Sequence, residues 1–231
     1  MFRFFKLHPV HLSLFFFMML IPAMGESNAT TEKDANNSTI NTELAVSSLN
    51  ASKSLAYVIP IKDQIGPPIL DILRRGLKDA IRDNAQLVIL DMDTPGGELG
   101  VTLEIMEEII ESLEKFEGKI ITYVNDEAIS AGAYIAIATS EIAFAPNSQI
   151  GAAEAVSGGG ANIDSSMKRK INSYLKAKIR NYAGGHRYRS IIMSAMMDAN
   201  ESLLIEGEPL KAQDGSLIKK SGELLTLTGE E

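Results

Sequence analysis

The chain has 231 residues, of which 45% are hydrophobic and 23% charged, a composition that supports a packed core and excludes wholesale disorder. Its formal net charge of −8 argues against nucleic-acid binding, which requires a basic surface. The sequence contains no cysteine, which excludes disulfides, thiolate nucleophiles and cysteine-ligated zinc. Only His186 of the three histidines lies outside the N-terminal segment, so a mechanism that needs two histidines is excluded as well.

Residues 1–25 have the pattern of a secretory signal peptide. Two basic residues precede an apolar core over residues 12–21, and small residues follow it. This core is shorter than the roughly 17–25 residues that a membrane-spanning helix needs. We therefore expect cleavage after position 25 and an exported protein, rather than an uncleaved anchor. Residues 26–53, rich in Asn, Ser, Thr and Ala, are expected to form a flexible polar linker.

The remaining residues, 54–231, are predicted to form one α/β domain. In chain order the apolar patterns predict strands at 55–61, 86–92, 119–124 and 141–145, alternating with helices at 69–81, 101–113, 130–139 and 167–182. Gly118 is expected to end the second helix, and a late strand is expected at 224–228. This alternation is typical of parallel strands joined by helical crossovers.

The segment Asp93-Thr94-Pro95-Gly96-Gly97 follows the second predicted strand. Paired glycines at a strand end let backbone N–H groups point into a cleft without an obstructing Cβ. Such donors can stabilise an oxyanion. A plain turn is the competing interpretation, and it is the better one for a Pro-Gly dipeptide alone.

Ser130 opens the small-residue helix that follows the third predicted strand. Free N–H groups and the helix dipole favour negative charge at that position, which suits a nucleophile whose intermediate is an oxyanion. A helix-capping serine is the competing interpretation. It is weakened because Ala133 cannot complete a capping box. The run of Ala and Gly after Ser130 predicts close packing against a neighbouring element.

The residues alone leave the general base open. His186 lies in a loop after the last predicted helix, where a solvated side chain is the simpler interpretation. Lys168 and Lys170 open that helix among several basic residues. A lysine acts as a base when burial or nearby positive charge favours its neutral form. Helical periodicity does not choose between the two lysines, and a solvated basic face would explain both.

Taken together, these motifs resemble the NfeD family of membrane-associated serine proteases, in the ClpP/crotonase-like superfamily. The resemblance extends from about residue 55 to the end of the chain. It rests on the order and spacing of DTPGG (93–97), SAGAY (130–134) and IGAA (150–153) followed by SGGG (157–160). It implies a ClpP/crotonase-like spiral of repeated ββα units and a serine endopeptidase with a Ser-Lys dyad, located on the extracytoplasmic face of a membrane.

The resemblance also implies a role for each matching residue. Ser130 would be the nucleophile and Lys170 the base, while backbone N–H groups of Gly96, Gly97 and Ala131 would form the oxyanion hole. It implies no metal and no cofactor. The expected substrate is an apolar peptide segment, the expected partner is a stomatin- or prohibitin-like membrane protein, and the chain is expected to form a homo-oligomer.

The chain departs from the family pattern in two places. Family members commonly carry Gly-Arg-Asn where residues 184–188 read Gly-Gly-His-Arg-Tyr. The family's domain also continues past the position of Glu231, so we expect a C-terminally truncated domain. Two other functions stay open at this point. One is a non-catalytic scaffold for stomatin-like partners, and the other is a crotonase-type acyl-CoA enzyme, against which the signal peptide argues.

Overall fold

A mainly parallel sheet organises the computed structural model, which describes residues 54–156, 164–186 and 188–231. The strands are β1 (Ala56–Lys62), β2 (Leu87–Thr94), β3 (Lys119–Ile129), β4 (Glu141–Phe144), β5 (Gln149–Gly151) and β8 (Thr226–Thr228). β1, β2 and β3 lie side by side in parallel. β4 pairs with the first half of β3 and β5 with its last residues, both in parallel, and β8 joins β5 in the antiparallel direction.

Helices connect these strands, and a short hairpin lies near the end of the chain. The helices are α1 (Pro67–Arg82), α2 (Leu99–Lys115), α3 (Ala131–Ile137), α4 (Ser165–Tyr182) and α5 (Arg189–Met197), and the hairpin strands are β6 (Leu204–Ile205) and β7 (Glu208–Pro209). The predicted α/β class with a parallel sheet is confirmed. The predicted signal peptide and linker lie outside the described residues.

The first helix shows how the sequence produces this packing. Two prolines occupy its first two positions. Their fixed φ suits a helix, and N–H groups at these positions have no acceptor within the helix, so their absence costs no hydrogen bond. Its buried stripe includes Leu73 and Leu77 and packs on β1. Gly76 lies in the same stripe, where a Cβ would stand 2.6 Å from Ile59 Cδ1. The absence of a side chain at Gly76 therefore sets how closely α1 approaches the sheet.

β3 is longer than predicted, and its extension determines where Ser130 lies. The predicted strand ends at Val124, whereas β3 continues to Ile129. Along β2 the pairing passes from Met92 opposite Val124 to Thr94 opposite Ala128, so β3 holds extra residues between these two pairs. This bulge carries the end of β3 past the end of β2. Ser130 follows immediately and begins the turn into α3.

Several other elements differ from the sequence-based expectation. α2 ends at Lys115, before the expected stop at Gly118. β8 lies inside the segment predicted as a late strand, and it pairs with β5 as an edge strand of the sheet. β5, α5 and the short hairpin were not predicted.

Candidate active site

One cleft lies where three parallel strands end. Because the strands are parallel, the residues that follow β1, β2 and β3 meet at the same edge of the sheet, which is where α/β proteins commonly bind ligands. Gln64, Gly97 and Ser130 line a cleft of about 410 Å³ at this edge. The fold therefore brings the glycine motif (93–97) and the serine motif (130–134) together at one cavity.

Ser130 has a strained backbone on the turn between β3 and α3. Its φ is 52° and its ψ is −110°, a conformation that residues with a side chain seldom adopt. A hydrogen bond from its N–H to the Gly151 carbonyl, 2.9 Å long, holds it there. The side chain makes no capping hydrogen bond, so the capping interpretation does not describe this serine. Strained strand-to-helix turns present the nucleophilic serines of α/β-hydrolases.

The glycine turn lies against Ser130. Gly96 has a φ of 115°, and a Cβ at this position would stand 2.7 Å from Ser130 Cβ. At Gly97 a Cβ would meet the carbonyl oxygen of Ile65 at 2.1 Å. The strand-like bridge between Ile65 and Gly97 explains this close approach. Both glycines are therefore required by the path of the backbone.

The backbone N–H groups at the cleft differ in availability. The N–H of Gly96 donates to Thr94 Oγ1 at 3.1 Å, so it is already engaged. No group in the described residues accepts from the N–H of Gly97 or of Ala131, and both residues line the cleft. Ala131 is the first residue of α3, where a helix leaves its N–H without an internal partner. Gly97 and Ala131 therefore offer the free donors that an oxyanion hole needs.

Thr94 is a supporting residue to which the sequence analysis gave no separate role. Its side chain is fully buried at the end of β2. The hydroxyl donates to the Asp63 carbonyl at 2.5 Å and accepts from the N–H of Gly96. It thus ties the end of β1 to the glycine turn. A threonine at a buried position of an otherwise apolar strand face was the available signal.

Tyr134, one turn after Ser130, also supports the cleft. Its hydroxyl donates to the Ala153 carbonyl at 3.1 Å and so fixes the segment that follows β5. Burial raises the pKa of Tyr134, which keeps the phenol protonated as a donor. The adjoining residues Glu154 and Val156 form one wall of the cleft.

The structure separates the three candidate bases. Lys168 Nζ lies 2.7 Å from Glu154 Oε1, at the cleft wall. Lys170 is exposed on the second turn of α4 and is not among the described residues that line the cleft. His186 is exposed as well. The pKa of Glu141 is lowered mainly by its ion pair with Lys119 and to a smaller extent by the charge of His186.

Contacts of Arg189 place His186 at the far end of the sheet, because the Arg189 N–H donates to the His186 carbonyl and its side chain donates to the Ser140 carbonyl, next to Glu141, at 3.0 Å. Glu141 pairs with Ile121 near the start of β3, whereas Ser130 follows the end of β3. At about 3.3 Å per residue the two positions are roughly 30 Å apart. His186 therefore lies far from the cleft.

The chemistry of the cleft walls is mixed. The carboxylates of Glu98 and Glu154 stand beside the apolar side chains of Leu99 and Val156. Within the ranges that the structure describes, no group of three or more His, Asp or Glu side chains is placed to hold a metal ion. A strained serine beside two free N–H donors is an arrangement suited to acyl transfer.

The fold is that of a ClpP-like α/β protein, and the chain belongs to the NfeD1b family. Residues 55–231 match the N-terminal domain of NfeD1b. The chain is 37% identical over 118 residues to the membrane protein NfeD1b of Bacillus subtilis, which is 51% of this chain and 26% of that protein. It is 36% identical over 110 residues to the membrane-bound protease PH1510 of Pyrococcus horikoshii, which is 46% of this chain and 24% of that protein.

The chain thus spans about a quarter of the length of these two relatives. Both relatives are named as membrane proteins. In the part of this chain that the structure describes, no helix is both long enough and apolar enough to cross a bilayer.

Two solved structures of the 1510-N membrane-bound stomatin-specific protease are similar to this chain. A mutant in which alanine replaces a serine has a TM-score of 0.58 and 29% identity, covering 78% of this chain and 75% of the other. A mutant in which alanine replaces a lysine, in complex with a substrate peptide, has a TM-score of 0.56 and 27% identity, covering 78% and 71%. These similarities confirm the ClpP-like fold implied by the sequence.

Proposed function

We propose that this domain is a serine endopeptidase in which Ser130 is the nucleophile and Lys170 the general base. The observation that carries the proposal is the strained backbone of Ser130, a residue that lines the cleft and whose hydroxyl caps no helix. Strain of this kind costs of order 1–3 kcal/mol and persists where function requires it. Relatives that are named proteases support the same activity.

In the proposed reaction Ser130, Gly97 and Ala131 act at the cleft, and Lys170 reaches it from α4. Ser130 Oγ attacks a peptide carbonyl while the neutral amine of Lys170 takes the hydroxyl proton. The N–H groups of Gly97 and Ala131 stabilise the oxyanion that forms. The lysine then returns the proton to the leaving amine, and an acyl-enzyme remains on Ser130. Water, deprotonated by the same lysine, hydrolyses this ester and regenerates the serine.

Two observations support Lys170 as the base. In the family pattern that this chain resembles, the lysine opens a helix and precedes an aliphatic residue, as Lys170 precedes Ile171. The serine and the lysine replaced in the two solved protease structures are separated along their chain by one residue more than Ser130 and Lys170.

The substrate that we propose is an apolar peptide segment of a stomatin-like membrane protein, cleaved on the extracytoplasmic side. Leu99 and Val156 give the cleft apolar surface, and 77% of Val156 is exposed. An exposed aliphatic side chain beside a nucleophile favours contact with apolar residues of a substrate. The similar solved structures are of a stomatin-specific protease.

The test is cleavage of an apolar peptide by matched variants. Ser130→Ala and Lys170→Ala should each lower kcat by at least about 100-fold, the range of general acid–base contributions. The double variant should be no worse than either single one, because the two residues act as a unit. Ser173→Ala and Lys78→Ala, which remove exposed residues of the same types, should retain activity. Full activity in Lys170→Ala would refute the dyad.

A further inference from the structure

An ion pair joins the first turn of α4 to the wall of the cleft. Glu154 lines the cleft, and its carboxylate holds the ammonium of Lys168 at 2.7 Å. The two side chains are 25% and 39% exposed, so solvent screens the pair only in part. Among the described residues it is the one ion pair between this turn and the cleft wall. The contact therefore influences how the beginning of α4 is oriented.

The geometry of a helix gives this contact a consequence for Lys170. Successive residues of an α-helix are about 100° apart, so Lys170 points about 200° away from Lys168. Lys168 faces the cleft wall, and Lys170 is exposed and does not line the cleft in the described part of the chain. While the pair with Glu154 is closed, Lys170 is turned toward solvent.

A buried polar side chain on the same face of α4 lacks a hydrogen-bond partner among the described residues. Asn172 lies one turn after Lys168 and is 8% exposed. Its Oδ1 is buried and has no hydrogen-bond partner among the described residues. A buried acceptor without a partner is unfavourable, so an orientation of α4 that supplies a donor to Asn172 would be favoured by this hydrogen bond.

We infer that Glu154 is a positioning residue that acts through Lys168. The pair holds the first turn of α4 so that Lys170 stays away from Ser130, and it opens when Lys170 takes the serine proton. This inference rests on the proposed function, in which Lys170 is the base. It predicts that breaking the pair increases the rate of cleavage.

The kinetic test compares variants that remove or exchange the two charges. Glu154→Gln and Lys168→Met should each raise kcat by about 1.4- to 5-fold, the range expected for a partly exposed ion pair. The exchange of charges in Glu154→Lys with Lys168→Glu should restore the lower rate. Raising salt from about 0.05 to about 0.5 M should increase the rate of the unmodified protein but not of Lys168→Met. Glu141→Gln, which breaks a similar pair with Lys119 at the other end of the sheet, should leave kcat unchanged.

Hydrogen exchange gives a readout that does not depend on activity. The amides of Arg169, Lys170 and Ile171 should exchange faster in Glu154→Gln than in the unmodified protein, and the exchange of charges should reverse this. An unchanged or lower kcat in Glu154→Gln would overturn the inference. Loss of cleavage in Lys168→Met with activity kept in Lys170→Ala would make Lys168 the base and overturn it too. If the unmodified chain cleaves no peptide, the proposed function fails. Equal hydrogen exchange in Glu154→Gln and the unmodified protein would separately show that the ion pair does not restrain α4.

Discussion

Replacing Thr94 with valine tests whether the glycine turn is held by one buried hydroxyl. The side chain is fully buried, and valine has nearly the same shape. The change removes the hydrogen bond to the Asp63 carbonyl and leaves the N–H of Gly96 without its acceptor. No cavity forms, so the effect isolates the lost polar contacts.

The expected loss of stability follows from these two hydrogen bonds. Each is worth about 0.5–1.5 kcal/mol net, so Thr94→Val should lower the free energy of unfolding by about 1–3 kcal/mol. The larger effect should be on cleavage, because the N–H of Gly97 adjoins the loosened residue and must point at the oxyanion. Loss of one such donor lowers kcat by about 100- to 1,000-fold in enzymes where it has been removed, and a displaced donor should show part of that loss.

Thr122 provides a matched control. It is also a fully buried threonine on a neighbouring strand, and its hydroxyl lies 3.1 Å from that of Thr139, away from the cleft. Thr122→Val should destabilise the protein without lowering the rate of cleavage. Urea unfolding gives the stability of both variants, and peptide hydrolysis gives kcat and KM. Equal activity in Thr94→Val and Thr122→Val at equal stability would show that the glycine turn does not depend on the Thr94 hydroxyl.

Two further predictions concern backbone space and alkaline stability. Gly97→Ala should abolish cleavage and destabilise the fold by at least about 2 kcal/mol, because the new Cβ would meet the Ile65 backbone. Gly100→Ala is the control: its Cβ would have no atom within 4 Å, so cleavage should be unchanged and stability unchanged or higher. Burial and the hydrogen bond to Asp83 raise the pKa of Tyr57 from 10.0 to about 12. Because the pKa of Tyr57 is higher in the folded than in the unfolded protein, its hydrogen-bonded phenol stabilises the fold fully below pH 10. This contribution to the free energy of unfolding is lost as pH rises toward 12. Urea unfolding across this range should show a steeper decline in the unmodified protein than in Tyr57→Phe, and parallel declines would contradict the assignment.

Much of the fold could be predicted because local patterns and tertiary packing agree. α1 follows from its prolines and four-residue apolar spacing, and β2 from its short apolar run. The end of β3 could not be predicted, because Asn125 and Asp126 are polar and exposed and have the composition of a loop. Pairing with β5 keeps the following residues in the strand. β5 itself is only Gln149–Gly151, too short to show a period.

The residues of the candidate site could be proposed from the sequence, but their geometry could not. Ser130 and the two glycines could be identified from their positions after strands. The strain at Ser130 and the engaged N–H of Gly96 depend on the path of the backbone, which the sequence does not display. The ion pair between Lys168 and Glu154 joins helix α4 to the loop that follows β5, and it depends on how the chain folds between them. Patterns within single elements cannot indicate such a contact.

Covalent labelling of Ser130 tests the central claim most directly. A serine-directed fluorophosphonate reacts only with an activated hydroxyl, so it reports on the nucleophile and its base without knowledge of the substrate. Mass spectrometry should find one added phosphonyl group on the peptide that contains Ser130. Lys170→Ala should lose the label while keeping its circular dichroism spectrum. A folded, unmodified protein that takes up no label at Ser130, or a Lys170→Ala variant that labels at the full rate, would contradict the account.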